Sequence, residues 1–498
     1  MSKHKSAMNT SFTRREALKL FGVGAATALS PGLQFPPPAI DSKTQTVDVV
    51  VVGAGMAGMM AARSLLRHGK KVAVLEARDR VGGRVKPGKV AGHVVDVGGM
   101  WVGPTQTRLL ELIKEYGLHT TPQFEDGKGV VEWNGRRTLP DREGLGFDSE
   151  TQAEYERVVG ELNQLSARVP QDAPWTMAQA EEFDHMTVED WFESKTRNKV
   201  LLSYFQLTTR GLFTADPFQM SFLYFLFYLC SGDNYETLNG YENGAQAFLV
   251  KETMHHLAAR IAEELGKTIV MESPVTAVAQ DVSGVTVSSE KGKWRGNSAI
   301  VAVPLPLSVR IAYDPPLRAE RDFLAQHMPM GSVIKFWVAY EKPFWRKHGL
   351  NGLIISDTPP ADFFSDATPP EGGPGFLVGF IEAHRALKWT GRPMEERKKV
   401  IVERIVSLLG PEGANPIDYE DQDWSADPWS RGCYGASMGP GVMTTVGKVI
   451  RQPHGRVHWA GTETSTRWMG YIEGAIRSGE RAADEVLSET MAPLQQAR

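Results

Sequence analysis

Two short segments of this chain carry reactive side chains in unusual surroundings. In "SRGCYGASMGPG", Cys433 is one of only two cysteines among 498 residues, and it stands between glycines with Tyr434 beside it. A core cysteine sits in an apolar run, so this pattern predicts an exposed, flexible turn that carries an accessible thiol. In "GSVIKFWV", the apolar neighbours Val333 and Phe336 predict that Lys335 is buried on a strand, although a solvent-facing edge lysine is the alternative. A buried lysine is costly unless it is paired or used, and an accessible thiol can react. Both segments therefore indicate a functional site.

The composition limits the kinds of ligand that such a site could bind. The length predicts two or three interleaved domains, and 42% hydrophobic with 23% charged residues is ordinary for a soluble protein. A net charge of -4 argues against nucleic acid as a partner. Two cysteines make no disulfide framework, and the sequence shows neither a metal-ligand cluster nor a Ser/His/Asp triad. These observations favour an enzyme or binding protein for a small molecule.

The N-terminal segment differs from the rest of the chain. Arg14 and Arg15 precede an apolar run over 20–29 in "TRREALKLFGVGAATALSPG", which resembles a twin-arginine export signal. Ala17 departs from the usual aromatic, and Ala26–Ala28 is a candidate cleavage site. We therefore expect export in the folded state to the periplasm. The alternative is a disordered basic tail on a cytoplasmic protein.

The segment "TVDVVVVGAGMAGMMAARSLLRHGKKVAVLEARDRVGGRV" has the pattern of a nucleotide-binding βαβ unit. It predicts a buried parallel strand over 47–52, an amphipathic helix to about His68, and a second strand over 71–75 that ends at Glu76. The strand, helix and terminal acid follow one another in the order that this unit requires. A glycine-rich turn in another α/β fold is the alternative.

Three glycines between the first strand and the helix complete the motif. Gly53 permits the tight turn, Gly55 lets the backbone approach a pyrophosphate, and Gly58 lets helix and strand pack closely. The helix N-terminus offers free N–H groups to the phosphates, and Glu76 can accept hydrogen bonds from a ribose. The motif alone does not distinguish FAD from NAD.

Further motifs carry a family resemblance. "EARDRVGGRV" resembles the extended fingerprint of flavin amine oxidases, and "VDVGGMWVGPTQ" resembles the next flavin-contacting loop of that family. "GSVIKFWVAYEKPFWRK", "DWSADPWSRGCYGAS", "VIRQP" and "AGTETSTRWMGYIEGAIRSGERAA" follow in the family's order. From about Val47 to Leu487 the chain is similar to a flavin-dependent amine oxidase of the monoamine oxidase type. The family's C-terminal membrane anchor is not expected, since the sequence ends in "MAPLQQAR".

The resemblance implies an α/β fold in which a Rossmann-like FAD-binding domain with a parallel sheet is interleaved with an α+β substrate-binding domain, as in p-hydroxybenzoate hydroxylase and amine oxidases. The expected segments are signal and linker 1–43, FAD-binding 44–125, 238–320 and 417–490, substrate-binding 126–237 and 321–416, and a tail 491–498.

The resemblance also implies a set of cofactor contacts. Cys433 falls where the family's cysteine bonds to the flavin, which implies an 8α-S-cysteinyl FAD, with a non-covalent contact as the alternative. The N-terminus of the last helix is expected at the flavin's pyrimidine edge. The expected FAD-binding residues are Gly53, Gly55, Gly58, Glu76, Arg78, Gly83, Arg84, Gly99, Met100, Trp101, Val275, Trp424, Cys433, Gly461, Thr462, Tyr471 and Ile472.

Three residues match the family's catalytic positions. Tyr434 and Tyr471 match the two tyrosines that stand face to face before the flavin and orient the amine. Lys335 matches the lysine that holds a water near flavin N5. Among substrate-pocket candidates, Ser231 falls near the family's glutamine and leaves the substrate uncertain, and Phe227 is a weaker candidate. Tyr228 and Cys230 are similarly weak, since "SFLYFLFYLC" also fits a plain core helix.

The implied activity is FAD-dependent oxidation of a primary or secondary amine to an imine, hydrolysed to a carbonyl product plus ammonia or amine. Oxygen, giving hydrogen peroxide, or a cytochrome is the expected electron acceptor, and no membrane span is expected in the mature chain. Dimers are frequent in such enzymes. The alternatives are an amine dehydrogenase of alkaloid (nicotine-type) catabolism and a non-catalytic flavoprotein.

Two further alternatives name specific residues. An L-amino-acid oxidase would need a pocket arginine, for which Arg210 and Arg467 are candidates. A polyamine oxidase would need acidic residues at the far end of the cavity, for which Asp233 and Glu236 are candidates.

Overall fold

A computed structural model describes residues 44–142 and 144–491, so the twin-arginine-like segment lies outside the described residues. The strands, numbered in chain order, are β1 (Gln45–Thr46), β2 (Val49–Val52), β3 (Val72–Leu75), β4 (Pro87–Val90), β5 (His93–Asp96), β6 (Trp101–Val102), β7 (Thr120–Pro122), β8 (Lys128–Trp133), β9 (Arg136–Thr138), β10 (Phe248–Val250), β11 (Ile269–Val270), β12 (Val275–Asp281), β13 (Gly284–Ser289), β14 (Gly292–Gly296), β15 (Ser298–Val301), β16 (Ala312–Asp314), β17 (Val333–Tyr340), β18 (Leu350–Ser356), β19 (Phe363–Asp366), β20 (Gly375–Glu382), β21 (Asp418–Asp423) and β22 (Val457–Trp459).

The α-helices of the same residues are α1 (Met56–Arg67), α2 (Thr107–Glu115), α3 (Ser149–Ser166), α4 (Ala180–His185), α5 (Val188–Lys195), α6 (Lys199–Phe213), α7 (Phe222–Ser231), α8 (Tyr235–Asn239), α9 (Met254–Leu265), α10 (Leu305–Ser308), α11 (Ala319–Gln326), α12 (Phe344–Lys347), α13 (Ala383–Trp389), α14 (Met394–Leu409), α15 (Val442–Val446) and α16 (Ile472–Met491).

A five-stranded parallel sheet in the order β11-β3-β2-β15-β22 carries the glycine motif. All four residues of β2 are valines and all are buried, as expected for a strand that is covered on both faces. One face packs on α1 and α16, where Met59, Ile476 and Ala483 share a core. The other face packs on the neighbouring sheet β1-β14-β13-β12-β16. The predicted first βαβ unit is therefore present, with boundaries within about two residues of those predicted.

A seven-stranded, mostly antiparallel sheet in the order β21-β17-β20-β19-β18-β8-β9 forms the second layer. Every residue of β17 and β20 is buried, so both faces of this strand pair are covered. Ile334 and Ile381 point into a core with α14, and the alternate residues point to the opposite side. That alternation places Lys335 and Glu382 on the side away from the α14 core.

A helical layer built from α3 to α8 adds an aromatic core. Helix α7 is the predicted helix of "SFLYFLFYLC", and Ser221 caps its first turn by accepting from the Tyr224 amide. Its residues Phe222, Phe225 and Leu229 are fully buried. The fold is the expected mixed α/β architecture with a parallel sheet. The predicted division into interleaved segments stays a prediction, and none of the described helices is both long and apolar enough to cross a membrane.

Candidate active site

A cavity of about 880 Å³ joins parts of the chain that are far apart in sequence. This volume lies toward the upper end of the range for small-molecule and cofactor sites. The predicted site residues that line it are Gly53, Gly55, Glu76, Arg78, Gly83, Arg84, Gly99, Met100, Trp101, Val275, Lys335, Trp424, Cys433, Tyr434, Gly461, Thr462, Tyr471 and Ile472. Gly58, Phe227 and Ser231 do not belong to the lining found in the described residues.

The glycine loop has the geometry of a phosphate cradle. Gly53 adopts φ of 101°, a left-handed conformation that favours glycine. A Cβ on Gly58 would stand 1.9 Å from the Gly53 carbonyl oxygen, so the close packing predicted for Gly58 is confirmed. Gly55 is the N-cap residue of α1 and supplies no side-chain cap, which leaves the first N–H groups of the helix without a side-chain acceptor. These residues fit the pyrophosphate of FAD.

Glu76 and Arg78 follow the second strand and line the same cavity. The Glu76 carboxylate accepts hydrogen bonds from the Ala54 amide at 2.7 Å and from the Arg78 amide at 3.0 Å, which locks the acid beside the loop. Arg78 donates to Asp427 at 2.7 Å and to Ser430 at 2.8 Å. Its Nε is buried and has no hydrogen-bond partner in the described chain, which suits a bound anion.

Arg84 and Glu463 form an ion pair, of which the sequence predicted only Arg84 as a site residue. Arg84 Nη1 lies 2.6 Å from Glu463 Oε1 and donates to the Tyr434 carbonyl oxygen at 2.6 Å. Burial alone would lower the pKa of Arg84, but the Glu463 carboxylate outweighs burial and the net pKa of Arg84 is raised. Burial alone would raise the pKa of Glu463, but the Arg84 charge outweighs burial and the net pKa of Glu463 is lowered. Both groups therefore stay charged. Glu463 was visible only as one of the polar residues in "AGTETSTRW".

The expectation that Cys433 lies on an exposed turn is wrong. The residue is only 5% exposed, because its loop folds under Val333, Phe380 and Trp424. Burial raises the pKa of the Cys433 thiol to about 12, with Arg84 acting in the opposite direction. Cys433 nevertheless lines the cavity, where a bound ligand would lie.

Lys335 is buried as predicted, which excludes the solvent-facing alternative. Its ammonium donates to the Gly98 carbonyl at 2.7 Å and lies 2.8 Å from the Met100 sulfur. Its Nζ also stands 5.3 Å from the centre of the Trp101 ring. Burial lowers the pKa of Lys335 to about 7, although the nearby Asp96 carboxylate opposes this shift. Burial therefore makes the Lys335 ammonium easier to deprotonate than that of an exposed lysine.

The β17–β20 register extends the lining around the lysine. Val333 pairs with Glu382, and Lys335 pairs with Phe380. Residues directly opposite in an antiparallel pair share a face, and all four line the cavity. Glu382 was not predicted as a site residue. The signal was a single acid at the end of the apolar strand "GFLVGFIE".

Tyr434 is held by contacts at its backbone, its hydroxyl and its ring. Its amide donates to Thr214 Oγ1 at 3.1 Å, and its hydroxyl donates to Glu382 Oε1 at 3.0 Å. Its ring stands edge-on to Phe380, with ring centres 5.9 Å apart. The ring is therefore held in the cavity wall by contacts at both its backbone and its hydroxyl.

Tyr471 immediately precedes α16 and meets the helical layer. Its ring centre lies 6.0 Å from that of Tyr228 and 5.0 Å from that of Trp468. Ser231 supports this loop from behind: its hydroxyl donates to the Tyr228 carbonyl at 2.8 Å and accepts from the Met469 amide at 3.2 Å. The assignment of Ser231 to the pocket lining is therefore corrected to a supporting position.

Two further pocket candidates can be placed by the structure. Phe227 is buried in the helical core, and it is its neighbour Tyr228 that lines the cavity, because successive helical residues point about 100° apart. Cys230 is half-buried beside Gln171 and does not belong to the described lining.

The residues named for the alternative substrates are also placed by the structure. Arg210 is buried in an ion pair with Asp362 at 2.8 Å and is absent from the described lining. Arg467 lies 3.5 Å from Asp233, and this half-exposed pair is likewise absent from it. Glu236 lines the cavity, where its carboxylate accepts from Asn163 at 2.7 Å.

Comparisons with known proteins agree with this geometry. The family model for flavin containing amine oxidoreductase matches residues 56–487. The flavin-containing amine oxidase A of Equus caballus is 37% identical over 89% of this chain and 85% of its own length. An L-amino acid dehydrogenase of Synechocystis is 34% identical over 91% of this chain and 97% of its own. The structure of wild-type putrescine oxidase bound to putrescine superposes with a TM-score of 0.86 at 31% identity, covering 90% of this chain and all of the other.

Proposed function

Since this chain belongs to the flavin-containing amine oxidoreductase family and is an oxidoreductase, we propose that it holds FAD in the cavity and oxidises a primary or secondary amine to an imine. Water then hydrolyses the imine to an aldehyde or ketone plus ammonia or a smaller amine. The observation that carries the proposal is that one cavity is lined by the glycine loop, Lys335, Tyr434 and Tyr471.

Different residues of the chain would bind the nucleotide half and the ring system of the cofactor. FAD, when bound, supplies the acceptor for the hydride equivalent that leaves the α-carbon of the amine. Gly53, Gly55, Glu76 and Arg78 would hold its nucleotide half, and the N-terminus of α16 would face the electron-rich edge of its ring system. The protein's own contribution is therefore to bind, orient and exclude water.

The amine must be neutral to react, since an ammonium nitrogen has no free lone pair. Phe363, Phe380 and Tyr228 give the cavity a largely apolar, aromatic wall, which disfavours the ammonium form. The faces of Tyr434 and Tyr471 would orient the nitrogen. We therefore propose that the preferred substrate is an amine with an apolar or aromatic body.

A diamine is a second candidate, because Glu236 lines the cavity and could receive a distant ammonium group. The similar structure of putrescine oxidase was solved with the diamine putrescine bound, which supports a diamine as the second candidate. Anaerobic mixing of the holoenzyme with 2-phenylethylamine, N-methylbenzylamine and putrescine, read at the flavin absorbance, separates the two. We expect the aromatic amines to bleach the flavin faster. If putrescine is faster, the diamine proposal replaces the first, and if no amine in a broad panel bleaches the flavin, amine oxidation itself is wrong.

The electron acceptor is proposed to be oxygen, because the buried Lys335 ammonium would attract the negative charge that forms when oxygen is reduced. Stopped-flow mixing of reduced enzyme with air tests this. We expect complete reoxidation within seconds and an equivalent of hydrogen peroxide. A flavin that stays reduced in air for minutes, and reoxidises with a cytochrome, would contradict it.

A covalent link between Cys433 and FAD is also proposed. Its support is that the thiol lines the cavity beside Trp424 and Tyr434. The high pKa of the thiol predicts slow attachment after FAD binds, since the thiolate is the nucleophile. The new C–S bond would replace the S–H bond and a C–H bond of the 8α-methyl group, and the two electrons released would pass by way of the flavin to the proposed acceptor, oxygen. Acid precipitation should leave yellow protein in wild type and colourless protein in Cys433→Ala, and release of all the flavin from wild type would refute the link.

Export by the twin-arginine route is proposed from the first 43 residues, which the structure does not describe. The test is fractionation of cells that produce wild type or the Arg14→Lys, Arg15→Lys double variant. We expect flavoprotein in the periplasm only for wild type. Equal cytoplasmic retention of both would contradict export.

A further inference from the structure

Glu382 is a buried carboxyl group in the cavity wall that the family motifs did not indicate. It is 3% exposed and ends strand β20, on the same face as Phe380 and opposite Val333. Its Oε1 accepts the Tyr434 hydroxyl at 3.0 Å, and its Oε2 is buried without a hydrogen-bond partner in the described chain. A half-satisfied buried carboxyl costs free energy, so its presence calls for a role beyond packing.

The neighbouring charges are engaged with other groups. Arg210 on α6 is the cation whose charge acts on Glu382, but its side chain donates its hydrogen bond to Asp362. Lys335 on β17 donates to the Gly98 carbonyl. The next two residues of the chain, on α13, also have partners of their own: His384 contacts Asp216, and Arg385 contacts Asp362. The Tyr434 hydroxyl is therefore the single hydrogen-bond donor to the Glu382 side chain in the described residues.

We propose that Glu382 is a positioning residue for amine oxidation: its carboxyl holds the Tyr434 hydroxyl and so fixes the ring face that Tyr434 presents to the amine. This rests on the proposed function. Tyr434 is anchored at its backbone by Thr214 and Arg84, so Glu382 supplies the remaining contact at the far end of the phenol. The carboxylate form strengthens this hydrogen bond, because charge-assisted bonds are roughly twice as strong as neutral ones.

Burial makes the strength of this contact depend on pH near neutrality. Burial raises the pKa of Glu382 to about 7, although the Tyr434 hydroxyl and the Arg210 charge oppose the shift. Above that pH the carboxylate holds the phenol firmly, and below it a neutral carboxyl holds it weakly. The rate of amine oxidation should therefore rise with pH through about 7, in addition to any change caused by ionisation of the amine itself.

The test uses the FAD-loaded enzyme and the variants Glu382→Gln, Tyr434→Phe and the double variant. Gln keeps an acceptor for the hydroxyl but cannot ionise. The first readout is the flavin absorption spectrum between pH 5.5 and 8.5 without amine. Because burial also lowers the pKa of Lys335 to about 7, the titration is made in the Lys335→Met background, where we expect an inflection near pH 7 that is lost on adding Glu382→Gln or Tyr434→Phe. The second is anaerobic flavin reduction at saturating amine, where the rate should change about fivefold across the inflection in wild type and under twofold in Glu382→Gln.

Two outcomes would overturn the proposal. The first is an inflection that persists in Tyr434→Phe, which would mean that Glu382 acts on the site directly rather than through Tyr434. The second is additivity of the two single-variant effects on the rate in the double variant, whereas a shared hydrogen bond predicts that they do not add. Glu189→Gln is the matched control, since Glu189 also has a raised pKa but lies on α5 outside the described lining, and it should keep the inflection. If no amine reduces the flavin, the proposed function fails, while the spectral titration still decides the role of Glu382.

Discussion

Two pairs of ionisable groups line or adjoin the cavity, and their pKa values are shifted in opposite senses. One pair is shifted toward its charged forms and the other toward its neutral forms. Arg84 and Glu463 lie in direct contact, and each shifts the pKa of the other toward the charged form. Lys335 and Glu382 lie on adjacent strands and make no ion pair in direct contact within the described residues, so burial outweighs the charges of Asp96 and Arg210 and moves the pKa of each to about 7. We infer from this difference that the Arg84–Glu463 ion pair fixes the loop of Tyr434, whereas Lys335 and Glu382 are cavity-wall groups whose charged forms burial disfavours.

The largest effect is expected from breaking the Arg84–Glu463 pair. Arg84→Met leaves the Glu463 carboxylate buried without its cation, which should lower the free energy of unfolding by about 3–5 kcal/mol. It also removes the donor to the Tyr434 carbonyl, so the purified protein should hold less FAD. Urea unfolding and the ratio of flavin to protein absorbance measure both effects.

The matched control for that variant is Arg67→Met. Arg67 pairs with Glu115 at the surface, where its side chain is 54% exposed, so its loss should cost less than about 1 kcal/mol. Equal stability of Arg84→Met and Arg67→Met would show that the buried pair has no special structural role.

The Lys335→Met variant tests the protonatable side of the comparison. We expect reoxidation of the reduced flavin by oxygen to slow by about 100-fold, because the cation near the reacting ring is lost. Reduction by amine should change only a few-fold. Lys342→Met, an exposed lysine just beyond β17, is the control and should behave as wild type. Unchanged reoxidation in Lys335→Met would contradict the assigned role.

Stability against pH sharpens the contrast further. The folded-state pKa of Glu382 is raised from 4.5 to about 7, so its neutral form stabilises the fold below pH 4.5 and that stabilisation is lost as pH rises to about 7. In FAD-free protein, Glu382→Gln should therefore gain stability relative to wild type by about 1.4 kcal/mol per pH unit over this window, and level off above it. Urea unfolding at several pH values measures the difference, and a constant offset would refute the buried, half-paired state.

Ser231 gives the smallest predicted effect. Ser231→Ala removes a hydroxyl that joins the Tyr228 carbonyl to the Met469 amide, so unfolding should become easier by about 1–2 kcal/mol. The order of preference among amines should not change, since Ser231 lies behind the cavity wall. Ser194→Ala on α5, where the hydroxyl donates only to the Trp191 carbonyl, should cost less. A changed amine preference in Ser231→Ala would return this residue to the substrate pocket.

The sequence predicted those parts of the molecule that depend on local pattern. The valine run of β2, the glycines 53, 55 and 58 and the helix that follows are encoded within a few residues, and the structure reproduces them. Membership of the family and the α/β fold followed from motifs of the same kind. Their order along the chain was the decisive signal.

Other features depend on contacts between distant segments, which local pattern does not reveal. Cys433 has the neighbours of an exposed turn, yet Trp424 and Phe380 cover it. Glu382 becomes a cavity residue only through the register between β17 and β20. In the same way, Phe227 and Tyr228 are adjacent in an apolar helix, and tertiary packing decides which of them reaches the cavity.

The central claim is that one cavity holds one FAD between the glycine loop and the two tyrosines. A crystal structure of the FAD-loaded enzyme tests it most directly. The account predicts the nucleotide half against Gly53, Gly55 and Glu76, and the ring system beside Lys335 and Cys433 with Tyr434 and Tyr471 on its substrate side. A flavin ring bound away from these tyrosines would contradict it.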